Sequence, residues 1–469
     1  GNTSGLKDTY DFSKMVRKHN VIVVTINYRL GPFGWFTHPS IQNLQDGDDK
    51  TSNFGTMDII AALRWVNKNI SLFGGDPENV TIFGESAGGH NVLSLLVSKK
   101  AKGLFHKAIS QSGYTSSISP QAAYKQTKSS PTSEHTSWKI VNKVLLKKDK
   151  TLNQKNLTNK EIRNILKETE ARDLFINYSN RHSYQEIPLL TSDGITIPIE
   201  GLDESLSNKN HVNIVPTIAG SNKDEVKLWL ASAEYFVKLE YSLFGSLFNV
   251  PRVKLKNKKA FEVFNNYRSS AWKIRGVDNP LRNLADAGNN QLFAYRYDWD
   301  DHRKWPVANF KKLIGAAHAT EIPLLTGNNK LVGNYGFLIY PKGPSKFFTS
   351  KNMMMFWTNF AKTGNPGISS NHKEWFKYKG KNKKESNFMV LDNRRNLKMA
   401  SDQNSFKSLV SNLFYEKDIT ELEKCVVLFQ MLTYVGDDLY DDYIDYYPGE
   451  CKRKEAEDFL KANASFIDY

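Results

Sequence analysis

The first hundred residues alternate between short apolar runs and longer stretches in which apolar residues recur at helical spacing. Val21 to Asn27 is a β-branched apolar run that ends before a Gly-Pro pair, which predicts a strand buried on both faces, as in a parallel sheet. Thr56 to Asn69 has the periodicity of an amphipathic helix, Val80 to Phe83 is a second short strand, and Ala87 to Lys99 is again helical. The order strand, helix, strand, helix predicts an α/β fold.

Later segments continue this mixture of elements. Strands are predicted at Ile214 to Ile218, Leu292 to Tyr297 and Phe388 to Leu391, and helices at Glu225 to Phe248, Ala260 to Ala287 and Met353 to Lys362. The chain contains no internal repeat and no linker long enough to separate domains. We therefore predict a single domain over residues 1–469, with helical insertions at about 115–185 and 226–290.

The composition is that of a globular protein. Of the 469 residues, 40% are hydrophobic and 24% are charged, which excludes disordered, collagen-like and coiled-coil proteins. No stretch approaches the ~18 consecutive apolar residues of a membrane-spanning helix, so no membrane span is predicted. The two cysteines, Cys425 and Cys451, allow either one disulfide or two free thiols, and the sequence leaves that choice open.

The net charge of +15 comes from 64 Lys and Arg against 49 Asp and Glu. The basic residues are spread in short clusters without an aromatic stacking pattern or a recognised nucleic-acid module, which favours a solvated surface over a nucleic-acid site. Docking on an anionic polymer or membrane surface is the alternative, and the sequence does not indicate an oligomeric state.

One motif carries candidate chemistry. Gly84-Glu85-Ser86-Ala87-Gly88 is a G-x-S-x-G sequence that follows a predicted strand and opens a predicted helix, the context of a nucleophile elbow. Ser86 is then the candidate nucleophile, and the N–H of Ala87, at a helix N-terminus, suits a developing oxyanion. The alternative is a glycine-rich helix start with an incidental serine, which leaves the strand and helix on the two sides unexplained.

A nucleophilic serine needs an imidazole to take its proton and a carboxylate to orient that imidazole. Ten histidines are available, and spacing alone does not choose among them. His318 lies among small residues, as in a loop that delivers a side chain into a pocket, whereas His90 competes because it follows Ser86 closely. Asp224 and Glu225 compete for the role of the acid.

Several blocks then occur in a fixed order between residues 28 and 366: Tyr28-Arg29-Leu30-Gly31-Pro32-Phe33-Gly34, Asn53-Phe54-Gly55, Phe73-Gly74-Gly75-Asp76-Pro77, Asn79 to Gly89, Gln111-Ser112-Gly113, Asn222-Lys223-Asp224-Glu225, AAHATEIP around His318, and Phe360 to Pro366. Together they resemble the type-B carboxylesterases, the family that includes the cholinesterases. The amino-acid sequence around His318 is similar to that of bacterial members of this family.

The resemblance implies an α/β-hydrolase fold with a mostly parallel central sheet flanked by helices. It also implies a triad in the order Ser86, Glu225, His318, acting on small carboxylic esters without a metal or cofactor. By the same resemblance, three further residues surround the triad, each with a plain structural role as the alternative: Glu85 near the base, Ser112 near the acid, and Glu321 after the base. Four aromatic residues are candidates for an acyl or alcohol pocket or for the core: Phe33, Trp35, Trp229 and Phe236.

The sequence departs from the family at its N-terminal side. An H-G-G-G-F-like segment, whose glycine N–H groups supply most of the family's oxyanion hole, is not present, and only the Ala87 N–H remains of the expected donors. We expect the N-terminal strands and the oxyanion loop to be missing because the chain is incomplete; the alternative is a naturally short version of the protein. One lost oxyanion donor costs roughly 10²–10³ in turnover, so we expect a weakened hydrolase.

Two expectations remain about the protein as a whole. The expected location is secreted or periplasmic. The rival function is that of a non-catalytic, cholinesterase-like binding or adhesion protein on the same fold. Such proteins usually lack the serine or the histidine, whereas all three triad positions are filled here, which favours the enzyme.

Overall fold

A central sheet organises the molecule in a computed structural model, which describes residues 8–125, 136–178, 190–240, 252–379, 386–434 and 436–463. Its six strands are β1 (Thr81–Glu85), β2 (Lys107–Gln111), β3 (Thr217–Asn222), β6 (Leu292–Tyr297), β7 (Ser386–Leu391) and β8 (Lys398–Asp402), adjacent in that order. All neighbours are parallel except β7 and β8, which are antiparallel. Two small antiparallel pairs complete the strands: β4 (Val237–Glu240) with β5 (Arg252–Leu255), and β9 (Thr433–Tyr434) with β10 (Asp437–Asp438).

Helices cover both faces of this sheet. In the first half of the chain they are α1 (Ser13–His19), α2 (Pro39–Gln42), α3 (Phe54–Asn69), α4 (Ala87–Val97), α5 (Pro120–Tyr124), α6 (Ser137–Lys148), α7 (Asn159–Glu168), α8 (Ala171–Ile176), α9 (Leu202–Ser205) and α10 (Lys227–Leu230). In the second half they are α11 (Lys258–Lys273), α12 (Asn279–Asp286), α13 (Phe310–Leu313), α14 (Ile322–Thr326), α15 (Gly336–Ile339), α16 (Pro344–Thr363), α17 (Phe406–Leu413), α18 (Glu421–Leu432), α19 (Tyr440–Tyr443) and α20 (Arg453–Ala462). None of the helices in the described ranges is long and apolar enough to cross a membrane.

Side chains of the central strands alternate between two apolar clusters because successive residues of a strand point to opposite faces. On β2, Ala108 packs in the cluster under α3 and α4, whereas Ile109 packs in the cluster under α16. On β6, Ala294 and Phe293 divide in the same way. The sheet is therefore buried on both sides, as the apolar strand sequences predict.

Most of the predicted elements are confirmed. The helical periodicity from residue 56 matches α3, the VTIF run matches β1, and the segment after Ser86 matches α4. The later predictions match β6, β7 and α16, and the segment from residue 260 is α11 followed by a π-helical turn, Ile274–Asp278, and α12. The predicted α/β-hydrolase architecture, a mostly parallel sheet flanked by helices, is confirmed.

The predicted first strand is wrong. Val21 to Asn27 lies outside the sheet and has no regular secondary structure, and Ile22 and Val24 are 45% and 41% exposed. Val21 and Val23 still pack against a core cluster. A strand needs the hydrogen bonds of a neighbouring strand, which an apolar run does not supply by itself.

Two other boundaries also differ. Residues 225–240 of the predicted long helix contain only the short α10 and then β4, and residues 241–248 lie outside the described ranges. The hairpin pairs Val237 with Leu255, a partner that helical periodicity cannot reveal. The strand predicted from residue 214 begins only at Thr217, because Pro216 has no N–H to donate to a sheet.

A disulfide joins the two cysteines and answers the question that the sequence left open. Cys425 lies in α18 and Cys451 just before α20, with their Cα atoms 5.4 Å apart and a sequence separation of 26. The bridge ties α18 to the segment that leads into α20.

We expect a double Cys425→Ser, Cys451→Ser variant to lose roughly 3 kcal/mol of the free energy of unfolding, because the bridge restricts the unfolded chain. Urea denaturation measures this loss. Adding a reductant should lower the midpoint of the wild-type protein and leave that of the double variant unchanged. Equal midpoints for the two proteins without reductant would contradict the prediction.

Candidate active site

The turn between β1 and α4 holds Ser86 in an unusual backbone conformation. Its φ is 61° and its ψ is −120°, a region that residues with a side chain rarely adopt. Backbone strain of this kind persists where the surrounding structure imposes it and is frequent at functional positions. The Ser86 N–H donates to the carbonyl of Gln111 on β2, 2.9 Å away, which fixes the turn against the sheet.

Close packing explains the glycines around Ser86. A Cβ on Gly84 would lie 2.5 Å from the carbonyl carbon of Gly88, and a Cβ on Gly89 would lie 2.6 Å from the carbonyl oxygen of Gln111. Both glycines are needed for the helix to return over its strand. A Cβ on Gly88 would meet open space, so the crowding lies at Gly84 and Gly89.

Ala87 is the first residue of α4. The first N–H groups of a helix have no acceptor within it, and together they carry a partial positive charge. The Ala87 N–H is adjacent to Ser86, so it can stabilise a negative oxygen that develops beside that residue.

His318 follows β6 in a loop and is held by Glu225, which follows β3. The Nδ1 of His318 lies 2.7 Å from Oε2 of Glu225, and the backbone N–H of His318 donates to the carbonyl of Glu225 at 3.1 Å. Glu225 is fully buried, and its Oε1 accepts the N–H of Asn222 at 2.7 Å. Because the carboxylate accepts the Nδ1 proton, Nε2 is the ring nitrogen left to act on a substrate or a nucleophile.

That second nitrogen faces Glu85. The Nε2 of His318 is 3.1 Å from Oε1 of Glu85, the residue that precedes Ser86. Among the described residues, no hydrogen bond joins Ser86 to His318. The imidazole therefore lies between two carboxylates, next to the serine turn.

The charges around His318 favour its protonated form. Burial by itself would lower the pKa of His318, but the negative charge of Glu85 and the hydrogen bond and charge of Glu225 raise it to about 9. Burial raises the pKa of Glu85, and the neighbouring imidazolium opposes that change. At neutral pH the ring is thus mainly an imidazolium, which cannot accept a proton until it loses one.

The competing histidine lies elsewhere. The Nδ1 of His90 donates to the carbonyl of Tyr114 at 2.8 Å, and its ring stacks on that of Tyr114 with 4.3 Å between centroids. Burial lowers the pKa of His90 to about 4, so the ring is neutral at neutral pH. His90 is part of α4, packs against Tyr114 and is not bound to a carboxylate in the described part of the chain.

The competing acid has a different task. Asp224 accepts hydrogen bonds from Asn265 at 2.7 Å and from the backbone N–H of Ala316 at 3.0 Å, and it forms an ion pair with Lys227 at 3.2 Å. Through Ala316 it fastens the loop that carries His318. Asp224 thus supports the loop, whereas its neighbour Glu225 contacts the imidazole.

Glu321 is hydrogen-bonded to side chains next to the candidate triad. Its Oε2 accepts the Asn222 side-chain amide at 2.6 Å, and its Oε1 accepts that of Gln111 at 3.3 Å. Burial and the nearby charge of Glu85 raise the pKa of Glu321. It shares Asn222 with Glu225 and is therefore part of the same buried network.

Ser112 lies at the end of β2. Its φ is 48°, its N–H donates to the carbonyl of Gly220 at 2.7 Å, and its own carbonyl accepts the indole N–H of Trp272 at 3.2 Å. Its hydroxyl is buried without a hydrogen-bond partner among the described residues, and none joins it to Glu225. The structure therefore connects Ser112 to Trp272.

Two tryptophans flank the imidazole. The ring of Trp229 lies 5.2 Å from that of His318 and the ring of Trp272 lies 4.8 Å from it, while the two indoles stack on each other at 5.9 Å. Nothing in the sequence distinguishes Trp272 from the other tryptophans. Asn222 could have been singled out, because it opens the block that ends at Glu225.

The strand order brings these groups together. Parallel strands end at one edge of a sheet, and ligands of open α/β sheets bind at that edge. β1 ends at Glu85, which is paired with Gln111 of β2. The next two strands of the sheet, β3 and β6, are parallel to them and end at the same edge. Among the described residues, no cluster of His, Cys, Asp and Glu is placed to hold a metal ion.

The serine turn at the end of a parallel strand, with an acid and a histidine on later loops, defines an α/β-hydrolase fold. The chain belongs to the carboxylesterase family, whose model matches residues 1–244 and 256–408. The solved structures of a PNB esterase and a thermophylic PNB esterase are each 26% identical to it, with TM-scores of 0.59 and 0.58. They cover 87% and 85% of this chain, which covers 78% and 75% of theirs.

Two of the sequence relatives are named as esterases. Liver carboxylesterase 1F of Rattus norvegicus is 31% identical over an alignment of 401 residues, and the match covers 78% of this chain and 65% of the relative. Para-nitrobenzyl esterase of Bacillus subtilis (strain 168) is 32% identical over an alignment of 371 residues, and the match covers 78% of this chain and 69% of the relative. The chain thus spans slightly less than two thirds of the length of the rat relative.

Proposed function

We propose that this chain is a serine hydrolase of small carboxylic esters, with Ser86 as nucleophile, His318 as base and Glu225 as orienting acid. The observation that carries the proposal is the contact of His318 with Glu225. The same imidazole lies next to Glu85, the residue that precedes Ser86. Membership of the carboxylesterase family and the esterase names of the relatives support it. The filled triad positions favour the enzyme over a binding or adhesion protein.

In the proposed reaction, the Ser86 hydroxyl attacks the ester carbonyl while Nε2 of neutral His318 takes its proton. The Ala87 N–H stabilises the oxyanion. The C–O bond to the alcohol then breaks, and the imidazolium returns the proton to the leaving oxygen. Water, deprotonated by His318, attacks the acyl-Ser86 ester and releases the acid. No metal or cofactor takes part in these steps.

The contact between His318 and Glu85 adds a condition to this scheme. The imidazole must turn from Glu85 towards Ser86, and it must lose a proton, before it can act as base. The activity should therefore rise with pH as His318 becomes neutral, near the pKa of about 9 that the carboxylates impose.

A Glu85→Gln variant should reach its activity at lower pH. The substitution removes one negative charge 3.1 Å from Nε2, which should lower the pKa of His318 by about one unit or more and shift the acid limb of the pH–rate profile downwards. Hydrolysis of p-nitrophenyl acetate between pH 6 and 10 measures the shift. Glu78→Gln, at an exposed carboxylate of the same segment, is the control and should keep the wild-type profile. An unshifted Glu85→Gln profile would refute this role.

Labelling with a fluorophosphonate tests the proposed function itself. Such a probe phosphonylates only an activated serine, and peptide mass spectrometry locates the modified residue. We expect the label on Ser86. A label on another residue, or none, would falsify the esterase proposal and favour the binding protein.

Two wider features belong to the proposal. We propose one domain, because the central sheet takes strands from residue 81 to residue 402 and so unites most of the chain. We also propose a secreted or periplasmic location, since disulfides such as Cys425–Cys451 persist in oxidising compartments. Cell fractionation followed by thiol alkylation of the native protein tests the location.

A further inference from the structure

Tyr434 lies near the candidate base, although it falls outside the part of the chain that the family model matches. The match ends at residue 408, and Tyr434 lies in β9, directly after α18. Its ring is 4.8 Å from that of Trp272 and meets the ring of Tyr114 edge-on at 5.6 Å. Tyr434 is only 6% exposed, so this packing is part of the core.

Trp272 is the intermediate between Tyr434 and His318. Its indole contacts the imidazole at 4.8 Å, and its N–H is tied to the carbonyl of Ser112 at 3.2 Å. The backbone that follows it is fixed as well, because a Cβ on Gly276 would lie 2.1 Å from the carbonyl oxygen of Gly113. Because the indole N–H is anchored, the rings that pack against the indole, Tyr434 and Trp229, determine its orientation towards His318.

The segment that carries Tyr434 is fastened to the same helical region. Arg275, three residues after Trp272, donates to the carbonyl of Met431 at 2.8 Å and pairs with Asp437 at 3.3 Å. Its guanidinium also lies over the ring of Tyr434, 5.7 Å from the centroid. Tyr434 is thus held from both sides along the chain, so its ring is a fixed support.

We propose that Tyr434 is a positioning residue for ester hydrolysis, which holds the Trp272 indole against His318 and so keeps the imidazole in its contact with Glu225. This inference rests on the proposed function. It assigns a catalytic consequence to the C-terminal segment, which the family match does not include.

Three variants separate this role from a general effect on stability. Tyr434→Ala removes the supporting ring, and we expect kcat for p-nitrophenyl acetate to fall about 10-fold with a smaller change in KM, because loss of alignment acts on the reaction step. Tyr434→Phe keeps the ring and should restore kcat. Tyr447→Ala is the matched control: Tyr447 is 5% exposed in the same core cluster and packs against Phe414. It should lower the melting temperature comparably and keep kcat.

The outcomes are distinct. A wild-type kcat for Tyr434→Ala, or an equal fall for Tyr447→Ala, overturns the positioning role. If Tyr434→Ala does not fold, Tyr434→Leu fills most of the volume without an aromatic face and should still lower kcat. Fluorophosphonate labelling of the wild-type protein is run in parallel, and failure to label Ser86 overturns the proposed function and this inference with it. Labelling of Ser86 with no difference among the variants overturns only the inference.

Discussion

A Ser86→Ala variant should lose ester hydrolysis almost completely, with turnover falling by about 10⁶-fold, the scale on which removal of a triad nucleophile acts. Without the hydroxyl no acyl-enzyme can form, and His318 has no proton to take. Alanine keeps the Cβ and so meets the same backbone strain at φ 61°, which leaves the turn itself little changed. Release of p-nitrophenolate from p-nitrophenyl acetate measures the loss.

Ser94→Ala is a suitable control for this variant. Ser94 lies on the same helix, is fully buried, and donates to the carbonyl of His90 at 2.8 Å. Its replacement removes a hydroxyl from the neighbourhood of the elbow without touching the proposed nucleophile, so turnover should stay close to wild type. Comparable losses for Ser86→Ala and Ser94→Ala would show that the hydroxyl of Ser86 has no special role.

A Glu225→Gln variant should lower turnover by about 10⁴-fold. The carboxylate now accepts the Nδ1 proton of His318 at 2.7 Å, which leaves Nε2 free to act as base. An amide can present its NH₂ group to Nδ1 instead and stabilise the wrong tautomer of the imidazole. Turnover of p-nitrophenyl acetate at pH 9 gives the size of the effect at a pH where much of His318 is neutral in the wild-type protein.

Asp224→Asn is the matched control for Glu225→Gln, because Asp224 and Glu225 are adjacent in sequence. Asp224 supports the loop through the Ala316 N–H and pairs with Lys227, so its replacement should lower the melting temperature more than turnover. A larger loss of turnover for Asp224→Asn than for Glu225→Gln would reverse the assignment of the acid.

Local patterns predicted much of the fold. The elements β1, α3 and α4 follow directly from apolar runs and helical spacing, since each of them buries a face that its own sequence defines. The prediction was wrong where a distant partner decides the conformation. No strand in the described part of the chain pairs with Val21 to Asn27, and residues 237–240 form a hairpin with β5 instead of a helix.

Local sequence also predicted one part of the candidate site and not the rest. The serine turn was readable because a strand, a tight glycine-rich turn and a helix are contiguous in sequence. The residues alone left His90 and His318 open, and likewise Asp224 and Glu225; only the resemblance to carboxylesterases chose between them. The contacts of Trp272 and Tyr434 had no signal in the sequence at all.

The sequence by itself therefore determined the fold class, the strand and helix around Ser86, and the membership of a family. The tertiary structure alone gave the contact of Glu225 with Nδ1 of His318, the position of Glu85 at the other ring nitrogen, and the packing of Tyr434 against the Trp272 indole. The physical reason is distance along the chain. Glu225 and His318 are 93 residues apart, and their 2.7 Å contact exists only because parallel strands end at one edge of a sheet.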